Sequence, residues 1–428
     1  MSSAFHVKEH IISASHIREY ARATSQSQEQ VLQLAVKQYI PKDNPDPGYG
    51  DVTIIGGHAN GFPKELYEPL WIELHARSKL KGFKIRGIWI ADVAHQGASG
   101  VLNEHMLGND PSYLDHARDL LHMINHFRVE MPMPLVGVGH SMGANQLVNV
   151  ALIHPRLFST LVLLDPVIQG FESFRRPSSP LTATGAAEFE AVGRDPAQAS
   201  TYRRDLWPSR EEATKLFRES RFYRTWDSRV LDKWIAYGLR ETPTAIYPQE
   251  KGSVTLTTTK HQEVYSFLRP TVAENEKTMD LPLEFKELSR IPNNYRPEIS
   301  ATMARMPNLR PSTLFVFGST SPTSTPKLQQ EKMEKTGIGM GGNGGAKEGR
   351  VKSVSLDGIG HLVAMEAVEQ CADAAAPWLG QEMKRWKEEA DGYEAWTRKN
   401  AVSKITLSEE HKKLIGGKMA NRTPKSSL

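Results

Sequence analysis

Gly139-His140-Ser141-Met142-Gly143 stands between two stretches of different periodicity. Upstream, Pro134-Leu-Val-Gly-Val-Gly139 is a short apolar run of the kind a fully buried strand needs. Downstream, Ala144, Leu147, Val148 and Ala151 recur at i, i+3, i+4 and i+7, the spacing of a helix face. A Gly-x-Ser-x-Gly at such a junction is a turn so tight that side chains two positions either side of the serine must be almost absent. The turn pushes the hydroxyl out at the carboxyl end of the sheet, above a helix amino terminus. We read Ser141 as a nucleophile.

Working outward from that turn, apolar runs at Phe5–Ile12, Val31–Ile40, Asp51–Ile55, Phe83–Ala91 and Thr160–Leu164 predict further strands, with helices over Glu65–Leu80 and Tyr113–Phe127. From about Val167 to Pro307 the pattern changes to charged helical stretches, including Arg210–Glu219 and Trp226–Leu239, with no buried-strand signal. Val254–Thr259 there reads as a short strand or an extended loop. Strand patterning resumes at Ser312–Phe317 and Arg350–Leu356, separated by a glycine-rich connection at Gly337–Gly349. A helix is expected over Gln381–Arg398, followed by a Lys-rich tail. Strands alternating with helices, interrupted once by a helical block, imply a parallel sheet with helices on both faces and a lid. The expected divisions are a core in two parts, 1–166 and 308–380, a cap over 167–307, and a terminal helix with basic tail over 381–428.

Composition narrows the function classes. The 428 residues are 39% hydrophobic and 24% charged, ordinary for a globular chain with a substantial core. A net charge of +4, from 53 Lys and Arg against 49 Asp and Glu that are scattered along the chain, does not suggest a nucleic-acid partner. The single cysteine, Cys371, excludes an internal disulfide. No apolar run approaches the roughly 18 residues of a membrane span, and the amino terminus lacks a secretory pattern, so stable membrane insertion is not expected. No Gly-x-Gly-x-x-Gly opens a helix after the first strands, which disfavours a nicotinamide enzyme. Neither cofactor nor metal is expected.

A serine hydroxyl is a weak nucleophile at neutral pH and needs a base, which in turn needs an orienting acid. His361 fits the base: it follows the last strand in Gly358-Ile-Gly360-His361, on the same rim as Ser141. An acyl-transfer site also needs two N–H groups where the oxyanion develops. One is expected from Met142, directly after the serine. The other is expected from the loop His58-Ala59-Asn60-Gly61, with Asn60 favoured and Ala59 as the alternative. His58 reads as a structural hydrogen-bonding residue, and Asp92 with Gly97-x-Ser99 as shaping a loop. Asp165-Pro166 ends the sixth strand at the same rim, which makes Asp165 either the orienting acid or the cap of a turn.

The serine turn, the His-x-Asn-Gly loop, Asp-Pro and Gly-His together resemble the α/β-hydrolase superfamily over residues ~30–165 and ~308–380. The resemblance implies the α/β-hydrolase fold: a mostly parallel central sheet flanked by helices, with a helical cap after the sixth strand. It also implies an acid after the strand ending at Phe317, yet Gly318-Ser-Thr-Ser321-Pro322 holds no carboxylate. Some members carry the acid where Asp165 stands, and the expected triad is therefore Ser141, His361 and Asp165. More narrowly, His58-Ala-Asn-Gly-Phe-Pro-Lys-Glu-Leu-Tyr67, with the segments around Leu206-Trp207-Pro208 and Phe222–Trp226, is similar to a fungal branch. That branch includes peroxisomal lipase-like proteins and hydrolases of host-selective toxin biosynthesis.

The cap carries Trp207, Phe217, Phe222, Tyr223, Trp226, Trp234 and Tyr237. Most such aromatics build the cap's own core, but a lid over a hydrolytic site must also exclude water from an apolar substrate. The expected partner is an apolar small-molecule ester or thioester. The alternative is a ligand-binding protein on a hydrolase scaffold. The final Ser426-Ser427-Leu428 is similar to the Ser-Lys-Leu address read by the peroxisomal import receptor. A peroxisomal protein is expected on that basis, and otherwise a cytoplasmic one.

Overall fold

The computed structural model describes residues 4–170, 194–269 and 296–416. The chain divides into two compact units, Met1–Glu382 and Met383–Leu428. The first is built on an eight-stranded sheet. Its strands are β1 (Phe5–Ser13), β2 (Gln33–Pro41), β3 (Val52–Gly57), β4 (Ile85–Ala91), β5 (Leu135–His140) and β6 (Thr160–Leu164), joined later by β10 (Ser312–Gly318) and β11 (Val351–Leu356). They lie in the order β1-β2-β4-β3-β5-β6-β10-β11. The first two pairings, β1–β2 and β2–β4, are antiparallel, and every pairing from β4 to β11 is parallel.

β3, β5, β6 and β10 are buried along their whole length, as a sheet covered on both faces requires. The covering helices include Glu68–Ser78, Tyr113–His126, Met142–Ile153 and Pro326–Lys335. Ser112 opens the second of these with a capping box: its hydroxyl accepts from the chain and Asp115 returns to its backbone. Central packing comes from Leu147, Val148, Leu161, Leu163, Phe315 and Phe317, all buried in one cluster.

This is the α/β-hydrolase fold expected from sequence, with an insertion between β6 and β10. Val254–Thr259, read as a short strand or an extended loop, supplies the strand β9 (Val254–Leu256), and two strands without a sequence signal, β7 (Leu206–Trp207) and β8 (Leu239–Glu241), pair with it in a small antiparallel sheet of order β7-β9-β8. Strands of two or three residues are too short to show a period. The remainder is helical, with Arg194–Tyr202, Arg210–Glu219, Ser228–Tyr237, Lys260–Phe267 and Pro297–Arg305. The helix expected from Gln381 starts instead at Val368 and runs to Thr397. Ser426-Ser427-Leu428 lies outside the described residues, as do 171–193 and 270–295 of the insertion. Among the described residues no helix is long and apolar enough to cross a membrane.

Candidate active site

Ser141 directly follows β5 in a conformation that an L-residue rarely adopts, with φ 56° and ψ −115°. The two flanking glycines are what permit it. A Cβ on Gly139 would sit 2.8 Å from the Ala144 backbone, and one on Gly143 would sit 2.2 Å from the Gly57 carbonyl carbon. Both approaches are closer than real Cβ atoms make, so the helix after the serine can lie against β3 and β5 only with glycine at both places. The Ser141 amide donates to the Leu164 carbonyl at 2.9 Å, which ties the turn to the end of β6. Asp165, the next residue on that strand, is the other non-glycine of the rim at positive φ, 39°.

The imidazole of His361 comes to this rim from the loop after β11. Its Nε2 is 2.8 Å from Ser141 Oγ, and its Nδ1 is 2.5 Å from Asp165 Oδ2. The three predicted side chains are thus brought into one hydrogen-bonded chain. Nδ1–H donates to the carboxylate, which leaves Nε2 to accept the serine proton. Asp165 is fully buried. Burial by itself would raise its pKa, but the hydrogen bond and charge of His361, with the Ser321 hydroxyl, outweigh it and hold the carboxyl down at about 2.

The carboxylate-free turn after β10 has a use that sequence reading missed. Ser321 Oγ donates to Asp165 Oδ2 at 2.5 Å, Thr323 Oγ1 lies 2.8 Å from the same oxygen, and the Gly318 amide donates to Oδ1 at 3.2 Å. Thr323 Oγ1 is also 3.1 Å from His361 Nδ1. Hydroxyls therefore stand where the family commonly keeps its acid, and they grip a carboxylate delivered from the neighbouring strand. Behind them, the fully buried Lys332 donates from Nζ to the Thr323 carbonyl at 2.9 Å. Burial lowers its pKa to about 8, against the opposing pull of Asp165 and Glu331. The run Ser-Thr-Ser-Pro-Thr-Ser at 319–324 was the available signal: a hydroxyl-rich turn with no acid of its own.

Three consecutive amides follow β3, and their partners differ. The Ala59 N–H donates to the Tyr67 hydroxyl at 2.8 Å, and the Gly61 N–H donates to Gln96 Oε1 at 2.8 Å. The Asn60 N–H has no hydrogen-bond partner among the described residues. The same holds for Met142, whose N–H opens a helix and so has no intrahelical acceptor. The Asn60 side chain is pinned on both sides: Gln96 Nε2 donates to its Oδ1 at 2.6 Å, and its Nδ2 donates to the Glu263 carbonyl at 3.0 Å. Glu263 belongs to the insertion helix Lys260–Phe267.

His58 takes the structural place expected of it. Its Nδ1 donates to the Ala59 carbonyl and its Nε2 accepts from the Val93 amide, each at 2.9 Å. Burial lowers its pKa, so it stays neutral. Asp92 likewise holds its loop, accepting from the Lys64 amide, the Lys64 Nζ and the Ala98 amide.

Above the site the insertion's aromatics pack mainly on one another. Trp207 on Phe217, Phe217 on Tyr223 and Tyr223 on Trp226 have ring centroids 5.0–5.3 Å apart. Phe62, two residues beyond Asn60, joins them through Trp226 at 5.5 Å and Trp234 at 5.9 Å. The roof and the Asn60 loop share one apolar cluster. Among the described residues no group of three or more His, Cys, Asp or Glu is placed to hold a metal ion.

Comparison with known proteins gives the chain's relatives. The chain is 40% identical over 417 residues to a type I acyl-CoA thioesterase of Penicillium brevicompactum, covering 91% of this chain and 92% of that one. A type I acyl-CoA thioesterase of Penicillium roqueforti is also 40% identical, covering 90% of each. Abhydrolase domain-containing proteins of Alternaria alternata are 28% identical over 59% of this chain and 85% of theirs. Among solved structures, the peroxisomal alpha-beta-hydrolase Lpx1 of Saccharomyces cerevisiae superposes with a TM-score of 0.66 at 18% identity, covering 97% of this chain and 96% of that one. The fungal relatives accord with the resemblance read from the His58–Tyr67 loop. The alpha/beta hydrolase family model matches residues 56–374, and this chain belongs to that family.

Proposed function

We propose that the protein is a serine-dependent thioesterase that hydrolyses the coenzyme A thioester of a largely apolar acid, in fungal secondary metabolism. The observation that carries the reading is the continuous chain from Asp165 Oδ2 to Ser141 Oγ, with links of 2.5 and 2.8 Å. The fungal thioesterases at 40% identity over nine-tenths of the chain support the thioester as substrate class.

In this mechanism Ser141 Oγ attacks the thioester carbonyl carbon while His361 Nε2 takes the hydroxyl proton. Negative charge develops on the carbonyl oxygen and is met by the Met142 and Asn60 N–H groups. The C–S bond breaks, and the thiol departs with the proton from Nε2. Water then gives a proton to Nε2 and its oxygen to the acyl carbon, releasing the free acid and restoring the Ser141 hydroxyl. Asp165 keeps the imidazole in the tautomer that both half-reactions use.

The test compares acyl-CoA thioesters with p-nitrophenyl oxoesters of the same acyl chains, using Ser141→Ala as the blank. The expected result is a kcat/KM at least tenfold higher for the thioester at the preferred chain length. A preference for the oxoester across the whole series would remove the thioesterase assignment.

The same proposal includes a peroxisomal address. Ser426-Ser427-Leu428 differs from Ser-Lys-Leu at its middle position, with Lys425 immediately before it. A fluorescent protein ending in the last twelve residues is expected to form puncta that overlap a peroxisomal marker. Diffuse fluorescence from that fusion would defeat the targeting reading.

A further inference from the structure

His140 is the residue before the nucleophile, and it is completely buried. Its Nε2 is 2.9 Å from the main-chain carbonyl oxygen of His361, and its Nδ1 is 2.9 Å from the Tyr67 hydroxyl. The Tyr67 oxygen, also buried, accepts the Ala59 N–H at 2.8 Å. The proton positions along this chain are forced. A carbonyl can only accept, so Nε2 must carry the ring proton. Nδ1 is then an acceptor, so the Tyr67 O–H donates to it, and the Tyr67 oxygen is left to receive the Ala59 amide. Burial and the neighbouring His361 push the His140 pKa down to about 3, so the ring is neutral and this one arrangement holds at working pH.

The chain joins three segments that meet only at the sheet rim: the loop after β3, the nucleophile turn after β5, and the loop after β11 that carries His361. It also takes the Ala59 N–H out of use, leaving Asn60 as the unpaired donor of that loop. Gln96 does the same at Gly61 from the other side. We propose that Tyr67 and His140 are positioning residues that hold the base and the oxyanion donor of the hydrolytic site in mutual register, through the chain Ala59 N–H, Tyr67 O–H, His140 imidazole and His361 C=O. The proposal rests on the serine-hydrolase reading above. Neither residue touches substrate.

The experiment uses the full chain with Tyr67→Phe, His140→Leu, the double variant and Ser141→Ala. Tyr67→Phe frees the Ala59 amide and removes the donor to His140 without changing the ring's shape. Its kcat should fall by about 10- to 100-fold, the scale on which misplacing a catalytic group by a fraction of an ångström to an ångström is felt. KM should stay within about twofold, because the acyl pocket is untouched. An apolar trifluoromethyl ketone, which Ser141 converts to an oxyanion adduct, should lose affinity by the same factor as kcat/KM. A thioether analogue of the substrate should bind as in wild type. Because both side chains act through one chain, the double variant should be no slower than His140→Leu alone.

A Tyr67→Phe variant within twofold of wild type, an unchanged ketone affinity, or losses that multiply in the double variant would each overturn the proposal. On the unmutated protein, 15N-histidine spectra should assign the proton of His140 to Nε2, and the other tautomer would overturn it as well. An active Ser141→Ala would instead remove the serine-hydrolase reading, so the two failures are separable.

Discussion

Ser141→Ala leaves a folded protein with turnover reduced by about 10⁶-fold, close to the level of the uncatalysed reaction plus whatever binding and the oxyanion donors retain. The size follows from what is lost. No other hydroxyl is hydrogen-bonded to His361 Nε2 among the described residues, so no neighbour can take over the attack. The fold should tolerate the change, because Ser141 holds the turn through its amide and carbonyl rather than its side chain: the amide meets Leu164, and the carbonyl accepts from Val167. The measurement is single-turnover release of thiol, with a fluorophosphonate probe that labels wild type and leaves the variant unmarked. Thiol release by the variant within tenfold of wild type would take the nucleophile away from this residue.

Asp165→Asn should lower kcat by about 10³- to 10⁴-fold with little change in KM. The amide cannot satisfy the site in either orientation. With Oδ1 turned to Ser321, Thr323 and His361, its NH₂ faces the Gly318 N–H, donor against donor. With Oδ1 turned to Gly318, its NH₂ faces His361 Nδ1 and favours the imidazole tautomer that cannot accept the serine proton. A loss under tenfold would send the acid role elsewhere. The acid dependence of stability should change too. The native carboxyl titrates near 2 against an ordinary 3.8, so its contribution is present above 3.8 and lost as pH falls through 2. The denaturation midpoint of wild type should therefore approach that of the variant over that window.

Those parts of the site that depend on a local turn were legible in the chain. The two glycines and apolar flanks of 139–143 identify the elbow because the steric demand is met within five residues. Asp165 and His361 were legible by position, each directly after a strand on the same rim. What was hidden depends on partners distant in sequence. Ser321 and Thr323 read as an ordinary polar turn until β6 brings Asp165 beside them. Tyr67 and His140 carry no signal singly, since each matters through the other. The chain favours Asn60 over Ala59, but the physical support for that preference lies in the partners: the Ala59 amide already has an acceptor in the Tyr67 hydroxyl. Of the insertion's strands only β9 gave a signal; β7 and β8 have two and three residues, too few for any alternation to register.

The Asn60 side chain donates to a main-chain carbonyl of the insertion, and Phe62 packs into the insertion's aromatics. Roof and reaction centre are consequently not interchangeable modules. Grafting the corresponding segment from a paralogue to alter chain-length selectivity would move the Glu263 backbone and with it the Asn60 peptide proposed as an oxyanion donor. A chimera built that way would trade selectivity against turnover unless residues 60–62 travelled with the transplanted piece.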